Sequence, residues 1–140
     1  MVDSATTAAA RAPTSDDIAA IGTTILDDLP PALRQLVAHV PIRVQDWPDD
    51  ETLDALEIED PLDLTGFYAA VPMAEREGMA FSTAAQPDMI FLFRLPILVE
   101  WCERGCALEE VVFDVLTHEI GHHFGMDEEA VLRMEGREPD

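Results

Sequence analysis

In the first third of the chain, apolar residues recur every three or four positions. Ile18, Ile21, Ile25 and Leu29 fall on one side of a helix, and Thr14 to Asp17 supply the short polar side chains that cap its start. Pro30 and Pro31 interrupt the period, and "ALRQLVAHV" resumes it briefly, with His39 read as a partly buried structural residue at its end. In "PIRVQDW" the period shortens to two, Ile42 and Val44 alternating with polar residues as in a strand. The acidic run "PDDETLDALEIEDP" has few apolar anchors and is expected to be a surface excursion. Two further strands are predicted, in "LTGFYAAV" (64–71) and "DMIFLFR" (88–94), joined by a polar loop with Arg76 and Pro87. Pro96 closes the second. A helix through "ILVEWCERG" follows, stopped by Gly105, and another runs from near Ala107 to Phe124. Strands in the middle with helices at both ends predict an α+β fold whose small sheet is covered on one face. Residues 1–15 are small and polar without a sustained apolar period, a flexible tail ahead of one domain spanning 16–140.

Charge narrows the function. Twenty-nine acids face eight bases for a formal net charge of -21, a field that repels phosphate backbones and anionic lipid. No run of basic residues offers a local footprint for either, so neither nucleic acid nor membrane is expected as a partner. The N-terminal stretch has no apolar h-region and the most apolar run, "MIFLFRLPILVEW", is broken by Arg94 and Pro96, which leaves a cytoplasmic location as the expectation. The two cysteines, Cys102 and Cys106, are too few for a disulfide framework; four apart on a predicted helix, they read as reduced, half-buried thiols.

The last predicted helix carries the chemistry. Val111, Val112, Phe113, Val115, Leu116, Ile120 and Phe124 make it apolar nearly all round, the pattern of a helix at the centre of a domain. Glu119 beside two imidazoles needs a reason there, such as a cation or a water-filled cleft, because an uncompensated buried carboxylate is costly. His118 and His122 leave one face a turn apart, close enough for both to reach one ion. Glu119 projects about 100° round the helix from His118, beside such an ion, where a carboxylate can take a proton from water. This is the H-E-x-x-H arrangement. His123 points about 100° away from His122 and is read as a packing or supporting residue.

A hydrolytic zinc also needs a third protein ligand and an open position for water. Gly125 can end the helix in a left-handed turn that sends the chain back towards the ion, and Asp127 and Glu128 lie just beyond. The extended motif is thus H-E-x-x-H-x-x-G-x-x-E, from His118 to Glu128.

On "LTGFYAAVPMAER", "PDMIFLFRLPIL" and "VLTHEIGHHFGMDEE" the chain resembles the small bacterial zincin-like metallopeptidases, over most of residues 16–135. The resemblance implies a compact α+β domain with a small mixed sheet packed on the motif helix, a bound zinc and peptidase activity. The family pattern places Asp three residues after the Gly; here Glu128 stands there, with Asp127 one position earlier. Helix chemistry bears on the choice: "MDEEAVLRME" reads as a closing helix in which Asp127 is the N-cap and accepts backbone N–H groups, leaving Glu128 to face the metal.

The expectation is therefore a zinc hydrolase acting on a peptide or protein, with His118, His122 and Glu128 as ligands, Asp127 as the alternative third ligand, and Glu119 as general base. An extended substrate is expected to pair with an exposed edge of "DMIFLFR". Tyr68 and Arg94 are the candidate oxyanion donors, each with a structural role as its alternative. The rival reading is a catalytically silent zinc-binding interaction module. Only 18 residues follow His122, leaving no second lobe to wall a cleft, so a protein partner or a homodimer would complete it.

Overall fold

The computed structural model of the chain describes residues 11–69 and 88–126. Helix α1 (Ser15–Asp27) starts on a capping box, Thr14 Oγ1 accepting from the Asp17 N–H at 3.1 Å while Asp17 Oδ2 accepts from the Thr14 N–H at 2.8 Å. It presents Ile18 and Leu26 to the core, with Ile21 and Ile25 packed against them. After α2 (Pro31–Leu36) the chain turns and enters strand β1 (Ile42–Gln45). The helix read through "ALRQLVAHV" stops at Leu36, and His39 lies exposed in the turn that follows rather than partly buried at a helix end.

The acidic run is more ordered than its composition suggests. Asp49 caps a short helix α3 (Asp50–Ala55) by accepting from the Thr52 N–H at 2.7 Å, and a 3-10 turn follows at Pro61–Asp63. Leu53, with Ile58 beside it, anchors the run by joining Leu64 and Phe93 in a small second core. Strands β2 (Gly66–Ala69) and β3 (Met89–Phe93) complete a three-stranded mixed sheet in the order β1-β3-β2. β3 runs parallel to β1, Ile42 opposite Ile90, and antiparallel to β2, Gly66 opposite Leu92.

That order corrects the expected substrate edge. β3 is the central strand, so the backbone groups of "DMIFLFR" pair with β1 on one side and β2 on the other and none is left for a peptide.

Helix α4 (Arg94–Arg104) begins directly after β3, earlier than predicted. Pro96 sits in its first turn, where its missing N–H costs nothing, and Gly105 ends it at φ +63°. Cys102 is exposed on α4 and Cys106 lies past the glycine, so the two free thiols do not share a helix as expected. Arg94 ties the entry of α4 to the start of the chain, its Nε donating to the Pro13 carbonyl at 2.7 Å. Helix α5 (Leu108–His123) lies across the sheet and against α1 and α4. Val111, Val112, Leu116 and Ile120 are fully buried, each removing apolar surface worth about 1.5–3 kcal/mol. This α+β arrangement makes α5 the best-anchored element next to the sheet. No helix among the described residues is long and apolar enough to cross a membrane.

Gly66 marks where β2 meets α5. A Cβ there would lie 2.6 Å from Val115 Cγ1 and 3.2 Å from the Phe91 carbonyl oxygen, so the strand can approach the helix only because this residue has none. Gly66→Ala should destabilise the protein by about 1–3 kcal/mol through overpacking. Combining it with Val115→Ala should cost less than the sum of the two single changes. Urea denaturation of the four proteins checks this, and simple additivity would mean the contact does not limit the approach.

Candidate active site

The last two turns of α5 carry the histidine motif. Ile120 and Gly121 face inwards and are buried, while His118, His122 and His123 are exposed. The helix expected to be apolar nearly all round is thus buried on its inner side and opens to solvent at its C-terminal end. His118 and His122 sit one turn apart on that open side.

His118 is already oriented. Its Nδ1 lies 2.7 Å from the Asp114 carbonyl oxygen. A carbonyl can only accept, so Nδ1 is the donor in this contact, which leaves Nε2 as the ring nitrogen that could face a metal.

Glu119 is half-buried and turned towards the sheet. The Tyr68 N–H donates to its Oε2 at 3.2 Å, and the sheet register explains why that amide is available. Phe93 N–H bonds the Thr65 carbonyl, so Thr65, Phe67 and Ala69 direct their backbone groups at β3, while Gly66 and Tyr68 direct theirs outwards. Burial pushes the Glu119 carboxyl above its ordinary value, and the Tyr68 N–H and the nearby His122 and His118 act in the opposite sense without cancelling it. A carboxylate with raised proton affinity is better suited to accept a proton than a fully solvated one.

Tyr68 is buried and serves as a hub. Its ring stacks on His123 with centroids 3.9 Å apart and planes 10° from parallel, and meets Phe124 edge-on at 5.9 Å. Its hydroxyl donates to Asp88 Oδ2 at 3.2 Å. His123 is therefore a packing partner of the strand that holds Glu119. Arg94 stands past the other end of β3, occupied by Pro13 and by Asp46 at 3.4 Å, so it has a structural role and does not face the motif.

The helix ends as its glycine predicts. Gly125 has φ +65°, Met126 N–H bonds the Gly121 carbonyl at 2.8 Å, and Gly125 N–H bonds that of His122 at 3.3 Å. This paired closure is the Schellman motif, and it ends the helix just past His122. Asp127 and Glu128 lie outside the described residues.

His118 and His122 are two exposed imidazoles one turn apart on α5, residue types that could hold a zinc ion. Among the described residues no three His, Cys, Asp or Glu side chains form a complete cation site.

Beside Glu119 and His118 opens a cavity of about 300 Å³, walled by Val115, Asp114, Thr65 and the salt-bridged Arg104. Sequence reading did not find this wall, nor the role of the Tyr68 amide. The only visible signal was the four-residue spacing of Glu100 and Arg104, a pair at 3.3 Å on α4.

No curated protein matches the chain. A family model described as a zincin-like metallopeptidase matches residues 37–137, a span that takes in all three strands, α4 and α5 with its histidines. Since that match covers well over half of the sequence, the chain belongs to the zincin-like metallopeptidase family.

Proposed function

We propose that the protein is a zinc-dependent peptidase in which His118, His122 and Glu128 hold the metal and Glu119 is the general base. The observation that carries this reading is the seat of Glu119: half-buried, fixed by the Tyr68 amide, and adjacent to His118 with its Nε2 free. When bound, zinc supplies Lewis acidity, polarising the scissile carbonyl and bringing the pKa of water towards neutrality. Glu119 takes the proton of the attacking water and delivers it to the leaving amine. The Asp114 carbonyl orients the His118 ring, and the Gly125 turn ends the helix just before the segment that would supply Glu128. The outward backbone groups of Gly66 on β2 replace β3 as the edge along which an extended peptide pairs, and no other described strand lies there.

Metal analysis of the purified protein, with cleavage of a mixed peptide library before and after chelation, tests the reading. About one zinc per chain and chelator-sensitive cleavage are expected. Tight zinc with no cleavage would favour the silent interaction module instead, and absence of zinc binding would overturn both.

The third ligand has its own test. Glu128→Ala should weaken zinc strongly, whereas Asp127→Ala should cost about 1 kcal/mol of stability as a lost helix cap and leave zinc largely in place. The opposite pattern would make Asp127 the ligand.

A further inference from the structure

The cavity beside Glu119 does not end at Arg104. A second cavity of about 320 Å³ shares Thr65 and Glu100 with it and continues along α4 past Glu103, Val99 and Pro96 to the 3-10 turn. The α4 residues at its wall, 96, 99, 100, 103 and 104, follow helical three-and-four spacing, so one face of a single helix lines the groove from end to end. Eight residues of helix rise about 12 Å, the length of three to four residues of extended peptide. The groove has a partly apolar floor, with Val99 and Leu62 exposed at 37% and 39%. Its rim is acidic: Glu103 and Glu100 on α4, Asp63 and Asp60 on the 3-10 turn. Among the described residues the one cation lining it, Arg104, is already paired with Asp114 at 2.9 Å and Glu100 at 3.3 Å, so the described carboxylates beyond it are in excess.

We propose that this groove is one arm of the substrate cleft and selects peptides with lysine or arginine within three or four residues of the scissile bond, alternating with apolar side chains. The occupant rests on the peptidase reading; the groove and its charge do not. Cationic side chains reach Glu103 and Asp63 at the rim while apolar neighbours cover Val99 and Leu62. An acidic peptide meets like charge along the same path.

The experiment uses the full-length, zinc-supplemented Glu119→Gln protein, in which cleavage is suppressed, and fluorescein-labelled peptides alternating Leu with Lys or Leu with Glu. Anisotropy should show binding of the Lys peptide, weakening with salt, and at least tenfold poorer binding of the Glu peptide. Glu103→Gln with Asp63→Asn should weaken the Lys peptide about tenfold. Asp16→Asn with Asp28→Asn, which removes equal charge at the two ends of α1, should change it less than twofold. Equal losses in both pairs would overturn the groove in favour of the field of the whole chain, and so would equal binding of the Glu peptide. Selective Lys-peptide binding by a protein whose wild type cleaves nothing overturns the peptidase reading and keeps the groove. Wild-type cleavage without cationic preference overturns the groove alone.

Discussion

Glu119→Gln should leave zinc uptake unchanged and lower peptide hydrolysis by a factor of about 100 to 10,000, the range that a positioned general base contributes. Glutamine matches the shape of the carboxylate and can still accept the Tyr68 N–H through its amide oxygen, so β2 and α5 keep their contact. What it cannot do is take a proton from water. A second readout separates this role from a structural one. In zinc-free protein the folded state holds the Glu119 carboxyl above its ordinary value, mainly through burial, so folding favours its protonated form. The ionised form therefore detracts from stability at neutral pH, and the penalty fades as pH falls through the raised folded value towards the unfolded one. Zinc-free Glu119→Gln should accordingly be somewhat more stable than wild type at neutral pH, with the gap closing in acid. A variant that lost hydrolysis and stability together would point instead to collapse of the Tyr68 contact. Cleavage at the wild-type rate would remove Glu119 from the chemistry.

The parts of this fold that were legible in the sequence are those set by local chemistry. Gly105 and Gly125 stop their helices with the positive φ that their position predicts, and α5 runs from Leu108 to His123 within a residue of its expected ends. Caps and apolar periods act over three or four residues, so a single sequence displays them. The misreadings required information from far along the chain. "DMIFLFR" alternates in the same way whether it lies at an edge or in the centre, and only its pairing with Ile42–Gln45 places it between β1 and β2. The acidic run folds because Leu53 finds Leu64 and Phe93, partners that its own composition does not announce. Within the site, the histidine spacing was plain. The Tyr68 amide that seats Glu119 lies 51 residues away and is a backbone group, to which a motif is blind. The acidic groove likewise joins α4 to the 3-10 turn across more than thirty residues of chain.

Replacing both His118 and His122 by alanine should abolish zinc binding while leaving the zinc-free fold nearly as stable as before. Both rings are exposed, so no core volume is lost. His118→Ala gives up one hydrogen bond to the Asp114 carbonyl, worth about 0.5–1.5 kcal/mol, and alanine's higher helix propensity offsets roughly half a kcal/mol of that at each position. The zinc-dependent readout is much larger. A ligand bound only by the native state stabilises it by about 2.7 kcal/mol when present at a hundredfold excess over its Kd, which for a domain of this size raises Tm by about 5–10 °C. Wild type should show that rise on adding zinc and the double variant none, because one remaining carboxylate ligand does not hold the ion. Each single substitution should lose most of the shift, since two imidazoles on one rigid helix bind as a unit and neither reaches the ion's full coordination alone. The result that would count most heavily against this account is a double variant that retains wild-type zinc content and the full shift. The metal would then sit elsewhere, and the geometry joining His118, His122 and Glu119 would have neither a catalytic nor a structural zinc to serve.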